Sequence, residues 1–93
     1  MKLQWQDKKD TIENLEYISD IKFHLEKYPD WKIPTINQLL YAYNIKENDF
    51  KYEHYFCNKN GAPYLIHFGK YYYSLVPIQT VISPYKFNIR LVR

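Results

Sequence analysis

The sequence predicts an α+β domain in which one or two N-terminal helices and a short central helix pack on a curled antiparallel sheet with paired terminal strands. Three observations predict it. Helix-start signatures are confined to residues 10–38, alternating aromatics take over after residue 50, and both chain ends alternate apolar with polar residues. The chain has 93 residues, enough for one domain (1–93) and one core, and its 46% hydrophobic content is that of a globular protein.

Each element follows from local chemistry. Leu3 and Trp5 alternate with Lys2, Gln4 and Gln6, as in a short strand with one buried face. Asp10 and Glu13 form a capping box that opens a helix through Ile12, Leu15 and Ile18. Beyond it, Ile18, Ile21 and Leu25 continue a helical face towards Lys27. Ile21, Phe23 and Leu25 equally alternate as a strand, and Ser19-Asp20 can end one helix and start another. The helical reading is the expectation, stopped by Tyr28-Pro29-Asp30. Pro34 fixes its own φ and extends Ile33, so Trp31, Lys32 and Ile33 run extended. Thr35 and Gln38 form a further capping box. Leu39, Leu40 and Tyr43 give the apolar side of a short helix ending near Asn44.

Lys46-Glu47-Asn48-Asp49 is a polar loop, residues 51–57 read as an aromatic-rich strand, and Asn58-Lys59-Asn60-Gly61 as a turn. Residues 64–68 and 71–76 flank Gly69-Lys70, a two-residue loop with glycine first, as a type II′ hairpin turn requires. That turn pairs Phe68 with Tyr71, Ile66 with Tyr73 and Tyr64 with Leu75 on the core face. The outer face then carries Leu65, His67, Tyr72 and Ser74, with His67 opposite Tyr72. Pro77 and Pro84 bracket an irregular or edge segment. Residues 88–93 alternate Ile89 and Leu91 with Arg90 in a closing strand.

Charge divides the chain. Residues 1–53 carry all ten carboxylates against eight lysines, net −2. Residues 54–93 carry five cations (Lys59, Lys70, Lys86, Arg90 and Arg93) and no carboxylate side chain, net +5, with nine Tyr or Phe in forty residues. Cations interleaved with aromatics suit anionic partners such as nucleic acid or sulfated glycan, and the same pattern also describes a solvated sheet face. A lone Cys57 forms no internal disulfide. Residues 1–7 lack the apolar core of a signal peptide, and the longest uncharged run, residues 71–85, is broken by Pro77 and Pro84. A soluble, cytoplasmic protein without a membrane partner is expected, unless a leader has been trimmed.

Catalytic signatures are weak. Cys57 and His54, three apart in a strand, point to opposite faces and are poorly placed for each other as a nucleophile–base pair or as metal ligands, so Cys57 reads as a small buried or half-buried thiol. There is no phosphate-binding glycine loop, no Cys-x-x-Cys and no Ser-His-Asp order, and Glu13 and Glu16 have the spacing of a solvated face. No catalytic residue, metal or cofactor is expected. Trp31 reads as core.

The run Asp30-Trp31-Lys32-Ile33-Pro34-Thr35, with Gln38-Leu39, resembles the Asp-Trp-Arg-Leu-Pro-Thr…Glu-Leu signature of the C-terminal domain of collagen-like bacterial adhesins. Trp5-Gln6-Asp7, Tyr55-Phe56-Cys57-Asn58 and the ending Ile89-Arg90-Leu91-Val92-Arg93 resemble further stretches of that family, in its order. The family belongs to the C-type-lectin-like, formylglycine-generating-enzyme fold group, so the resemblance implies a C-type-lectin-like domain. It does not carry over that group's chemistries. The sulfatase-modifying enzymes use two cysteines, and calcium-dependent lectins use late carboxylate motifs that are missing here.

The expectation is therefore a non-enzymatic module that binds a protein or an anionic glycan without calcium. The candidate ligand residues are His67, Lys70, Tyr72, Ser74, Arg90 and Arg93. The alternative is a small nucleic-acid-associated protein, or a mobile-element-encoded inhibitor of a host factor, using the basic, tyrosine-rich second half.

Overall fold

The computed structural model describes residues 3–45 (Ile45 by its backbone alone), 50–70, 72–79 and 82–93. It is an α+β domain with a five-stranded sheet in the order β1-β5-β2-β3-β4. The elements are β1 (Ile12–Tyr17), α1 (Asp20–Lys27), α2 (Ile36–Ile45), β2 (His54–Lys59), β3 (Ala62–Phe68), β4 (Tyr73–Pro77) and β5 (Ile82–Ile89). The sheet is mixed rather than wholly antiparallel, because β2 meets β5 in parallel at Tyr55 and Asn88.

Side chains alternate across each strand, and both faces are covered. Ile21 of α1 packs with Phe56, Leu65, Phe87, Ile89 and Leu91 on one face. On the opposite face Ile36 and Leu39 of α2 pack with Tyr55, Cys57, Ile66 and Phe68. Leu65, expected on an open outer face, is therefore fully buried.

The first half departs from expectation at one place. No helix starts at Asp10. Residues Lys8–Asp10 make a 3₁₀ turn, and Ile12–Tyr17 is a strand paired with β5. The physical reason is a bulge. Asn14 has φ 62°, and the register shifts between Ile12 and Leu15, so those two half-buried residues sit three apart along a strand. A bulged strand thus reproduces the i, i+3 spacing of a helix face. Pairing with β5, reinforced where Asn14 N–H donates to Asn88 Oδ1 at 3.2 Å, outweighs the local capping signal. The single N-terminal helix begins after Ser19, with Ile21 buried and Phe23 exposed, as a helix requires and a strand does not.

The signature segment behaves as its chemistry dictates. Lys32 exchanges two backbone hydrogen bonds with Val92 (2.8 and 2.9 Å), and the Pro34 carbonyl accepts from Asn58 N–H at 3.0 Å. The Thr35–Gln38 capping box is reciprocal. Thr35 N–H donates to Gln38 Oε1 at 2.9 Å, and Gln38 N–H donates to Thr35 Oγ1 at 3.2 Å. Residues 31–35 form a strap between the chain's end and β2. The terminal segments also meet, through a Trp5–Val92 bridge.

Asn60 and Gly61 make the β2–β3 turn, both at positive φ (53° and 83°), as a type I′ hairpin demands. The β3–β4 hairpin corrects the expected register. Phe68 pairs with Tyr73, Ile66 with Leu75 and His67 with Ser74, a shift of two residues. Tyr71, expected opposite Phe68, lies outside the described residues. The loop is four residues, closed by Gly69 N–H donating to the Tyr72 carbonyl at 2.8 Å. Gly69 is needed for close approach, since a Cβ there would stand 3.1 Å from Tyr72's carbonyl and ring. A shift of two keeps every side chain on its face. Ile66, Phe68, Tyr73 and Leu75 thus remain together, and His67 faces Ser74 instead of Tyr72. Finally, Pro84 lies inside β5, where a local loop tolerates it. Ser83 Oγ donates to the Tyr85 carbonyl, and Tyr85 N–H donates back to Ser83 Oγ.

Candidate functional site

On the α2 face the helix packs against residues of β2 and β3, and β4 is an edge strand. A groove remains between α2 and β4. One half, about 420 Å³, is walled by Tyr43, Tyr52, Tyr72 and Tyr73, with Asn44 and Lys70 at its margin. The adjoining half, about 450 Å³, shares Leu40 and Tyr73 and is bounded by Asn37, Asn58, Lys59 and Asn60. Both volumes are in the range of small-ligand sites. Among the described residues, tyrosines, amides and two lysines line the groove, and no carboxylate does.

Each wall has a cause. Tyr43, one turn into α2 from Leu39, stacks on Phe68 with ring centres 4.1 Å apart and planes at 1°, and its hydroxyl donates to the Gly69 carbonyl. The β3–β4 loop is thereby tied to the helix. Burial, reinforced by neighbouring Tyr52, pushes the Tyr43 phenol above its ordinary pKa, so it stays a neutral donor at neutral pH. Tyr72 and Tyr73 are exposed, 68% and 49%, which for rings of that size leaves large apolar faces open to a ligand. Lys59 leans over the Tyr64 ring at 5.8 Å beside the second half of the groove.

The six expected ligand residues fall in three places. Lys70 and Tyr72 reach the groove. His67 and Ser74 lie together on the opposite face, paired across β3 and β4. Arg90 and Arg93 lie in the C-terminal segment, which pairs with residues 4–6 and 32, and both contact other parts of the fold. Arg90, expected as a ligand residue, is buried. Its Nε donates to the Gln6 carbonyl at 2.9 Å, and its guanidinium lies 4.9 Å from the Phe50 ring centre. Arg93 stacks over Trp31 at 4.3 Å and donates to Gln4 Oε1. Trp31 is half-buried, one side in the α1-face core and the other under Arg93.

The other groove residues were not expected from the sequence, among them the tyrosines Tyr43, Tyr52 and Tyr73. Tyr43 was read as apolar helix face and Tyr73 as core. The missing information was how α2 lies against the edge strand, which no local pattern encodes.

Nucleophile chemistry at Cys57 is closed off. The thiol is fully buried on the α2 face beside the Tyr64 carbonyl, and burial pushes its pKa up to about 12. His54 lies on the α1 face, against His67 and Tyr85, as the three-residue spacing predicts. Among the described residues no three metal-ligating side chains converge, and no helix is long and apolar enough to cross a membrane. Comparison of the chain with protein-family models, with curated proteins and with solved structures finds no match.

Proposed function

We propose that this chain is a calcium-independent recognition module whose groove between α2 and β4 takes an anionic glycan. The observation that carries the reading is the composition of that groove, with exposed tyrosine faces, amides and two lysines but no carboxylate among its described residues. Tyrosine faces pack against the C–H faces of sugar rings, amides both donate to and accept from hydroxyls, and lysines meet sulfate or carboxylate groups. Calcium-mediated sugar binding needs carboxylate ligands, and the described residues of the groove supply none, which supports direct recognition of the sugar. The order of strand, two helices and four strands, with bridged ends, supports the C-type-lectin-like reading. The Asp30–Leu39 signature supports the collagen-like-adhesin family within it.

A second reading, single-stranded nucleic acid, is favoured by the carboxylate-free, +5 second half of the chain. Calorimetric titration with a sulfated oligosaccharide and with single-stranded oligonucleotides, each with and without a chelator, separates the two. The expected result is glycan binding that survives chelation and weakens by at least about fivefold in Tyr73→Ala, taking the lower end of the roughly one to three kcal/mol that a base stacked on an aromatic side chain contributes. Tighter nucleic-acid binding with a steep salt slope replaces the first reading by the second. Binding of neither, or binding indifferent to Tyr73→Ala, overturns the groove assignment.

A further inference from the structure

The α1 face carries a second constellation, separate from the groove. Across four neighbouring strands Tyr85 (β5), His54 (β2), His67 (β3) and Ser74 (β4) lie side by side in one row. Phe68 N–H donates to the Glu53 carbonyl at 3.3 Å, which makes His54 and His67 the adjacent non-hydrogen-bonded pair of the antiparallel ladder. At that position opposing side chains come closest. Their ring centres are 4.5 Å apart with planes tilted by 41°. The Tyr85 ring lies on His54 at 4.5 Å and 8°, fixing the imidazole between two neighbours. Both histidines are half-buried, and Tyr85 and Ser74 are exposed, so solvent reaches the row.

We propose that His54 and His67 form a two-imidazole site for a late first-row divalent cation, zinc, nickel or copper. Imidazole nitrogen is a preferred ligand of these ions. With metal–nitrogen bonds of about 2.1 Å, two imidazoles have ring centres roughly 4.5 Å apart at adjacent corners of a square or octahedron, and roughly 5 Å apart on the tetrahedron that zinc prefers. The pair shows the first separation and reaches the second by a small side-chain rotation. Ions of this kind complete their coordination with water or with a donor from a bound partner.

The rest of the chain makes the test clean, because the other strong donors are sealed. His24 is buried and Cys57 is a fully buried thiol. Calorimetric titration with zinc chloride or nickel chloride alone, at pH 7.5, is expected to show one ion per chain. His54→Gln and His67→Gln are each expected to weaken it by more than about tenfold, at least the loss that removing an outer-shell partner causes. Far-ultraviolet dichroism checks that each variant is folded. A second measurement needs no variant. In the wild-type protein, zinc is expected to shift the ring resonances of His54 and His67 together and leave those of His24 in place. Absence of binding, binding that survives both substitutions, or a shift of only one of the two rings overturns the proposal.

Discussion

His24 shows what a single buried residue does to this domain. It is 3% exposed, its ring meets Tyr28 edge-on at 5.1 Å, and neither ring nitrogen has a hydrogen-bond partner in the structure. Burial first, then Lys27, lowers its pKa below the ordinary 6.5, with Asp10 opposing. The unfolded chain therefore binds a proton that the folded chain refuses. His24's contribution is fully present above pH 6.5 and is lost as pH falls through the depressed folded pKa. Replacing the ring with an apolar side chain removes two orphaned polar atoms at little cost. Urea denaturation of wild type and His24→Leu at pH 7.5 and pH 5 is expected to show the variant losing less stability on acidification. Parallel losses contradict this account. Nearby, Gln6 Nε2 and Thr11 Oγ1 are likewise buried without partners, while Gln6 Oε1 accepts from Leu91 N–H at 2.9 Å.

At the scale of elements, the β3–β4 hairpin is the sharpest test of packing. Ile66 is fully buried beneath α2, whereas Tyr72 is on the loop with most of its surface exposed. Ile66→Asp places a carboxylate in a dry core, which costs several kcal/mol against a total of about 5–15, and is expected to unfold the domain. Tyr72→Ala is expected to melt within a few degrees of wild type. Equal melting temperatures for the two variants contradict the observed faces. The same hairpin shows how much of the fold local pattern carries. Alternation placed Ile66, Phe68 and Leu75 on one face, because parity survives a two-residue slip. It could not reveal the slip, which depends on Gly69 packing against Tyr72 and on Tyr43 reaching the Gly69 carbonyl from another element. The Thr35–Gln38 box was legible because its two hydrogen bonds span three residues. The Asp10–Glu13 box was misleading because β1 owes its conformation to β5, some seventy residues later.

Across the whole molecule, two helices on opposite faces of one sheet leave two surfaces incompletely covered. The α2 side has the groove beside β4, and the α1 side has the His54–His67 row. The sequence's charge division anticipated part of this, since Lys59 and Lys70 of the carboxylate-free half border the groove. It did not reveal that Arg90 is buried or that Arg93 lies over Trp31. Which tyrosines face solvent depends on how α2 lies against an edge strand that begins 28 residues later. The most direct test of the central claim is amide and ring chemical-shift mapping of the wild-type protein with a sulfated oligosaccharide in chelator-containing buffer. The account predicts shifts concentrated at Tyr43, Lys70, Tyr72 and Tyr73, with Trp31, Arg93 and His67 unmoved. Shifts centred on the Trp31–Arg93 strap or the His54–His67 row, or none at saturating glycan, would contradict it.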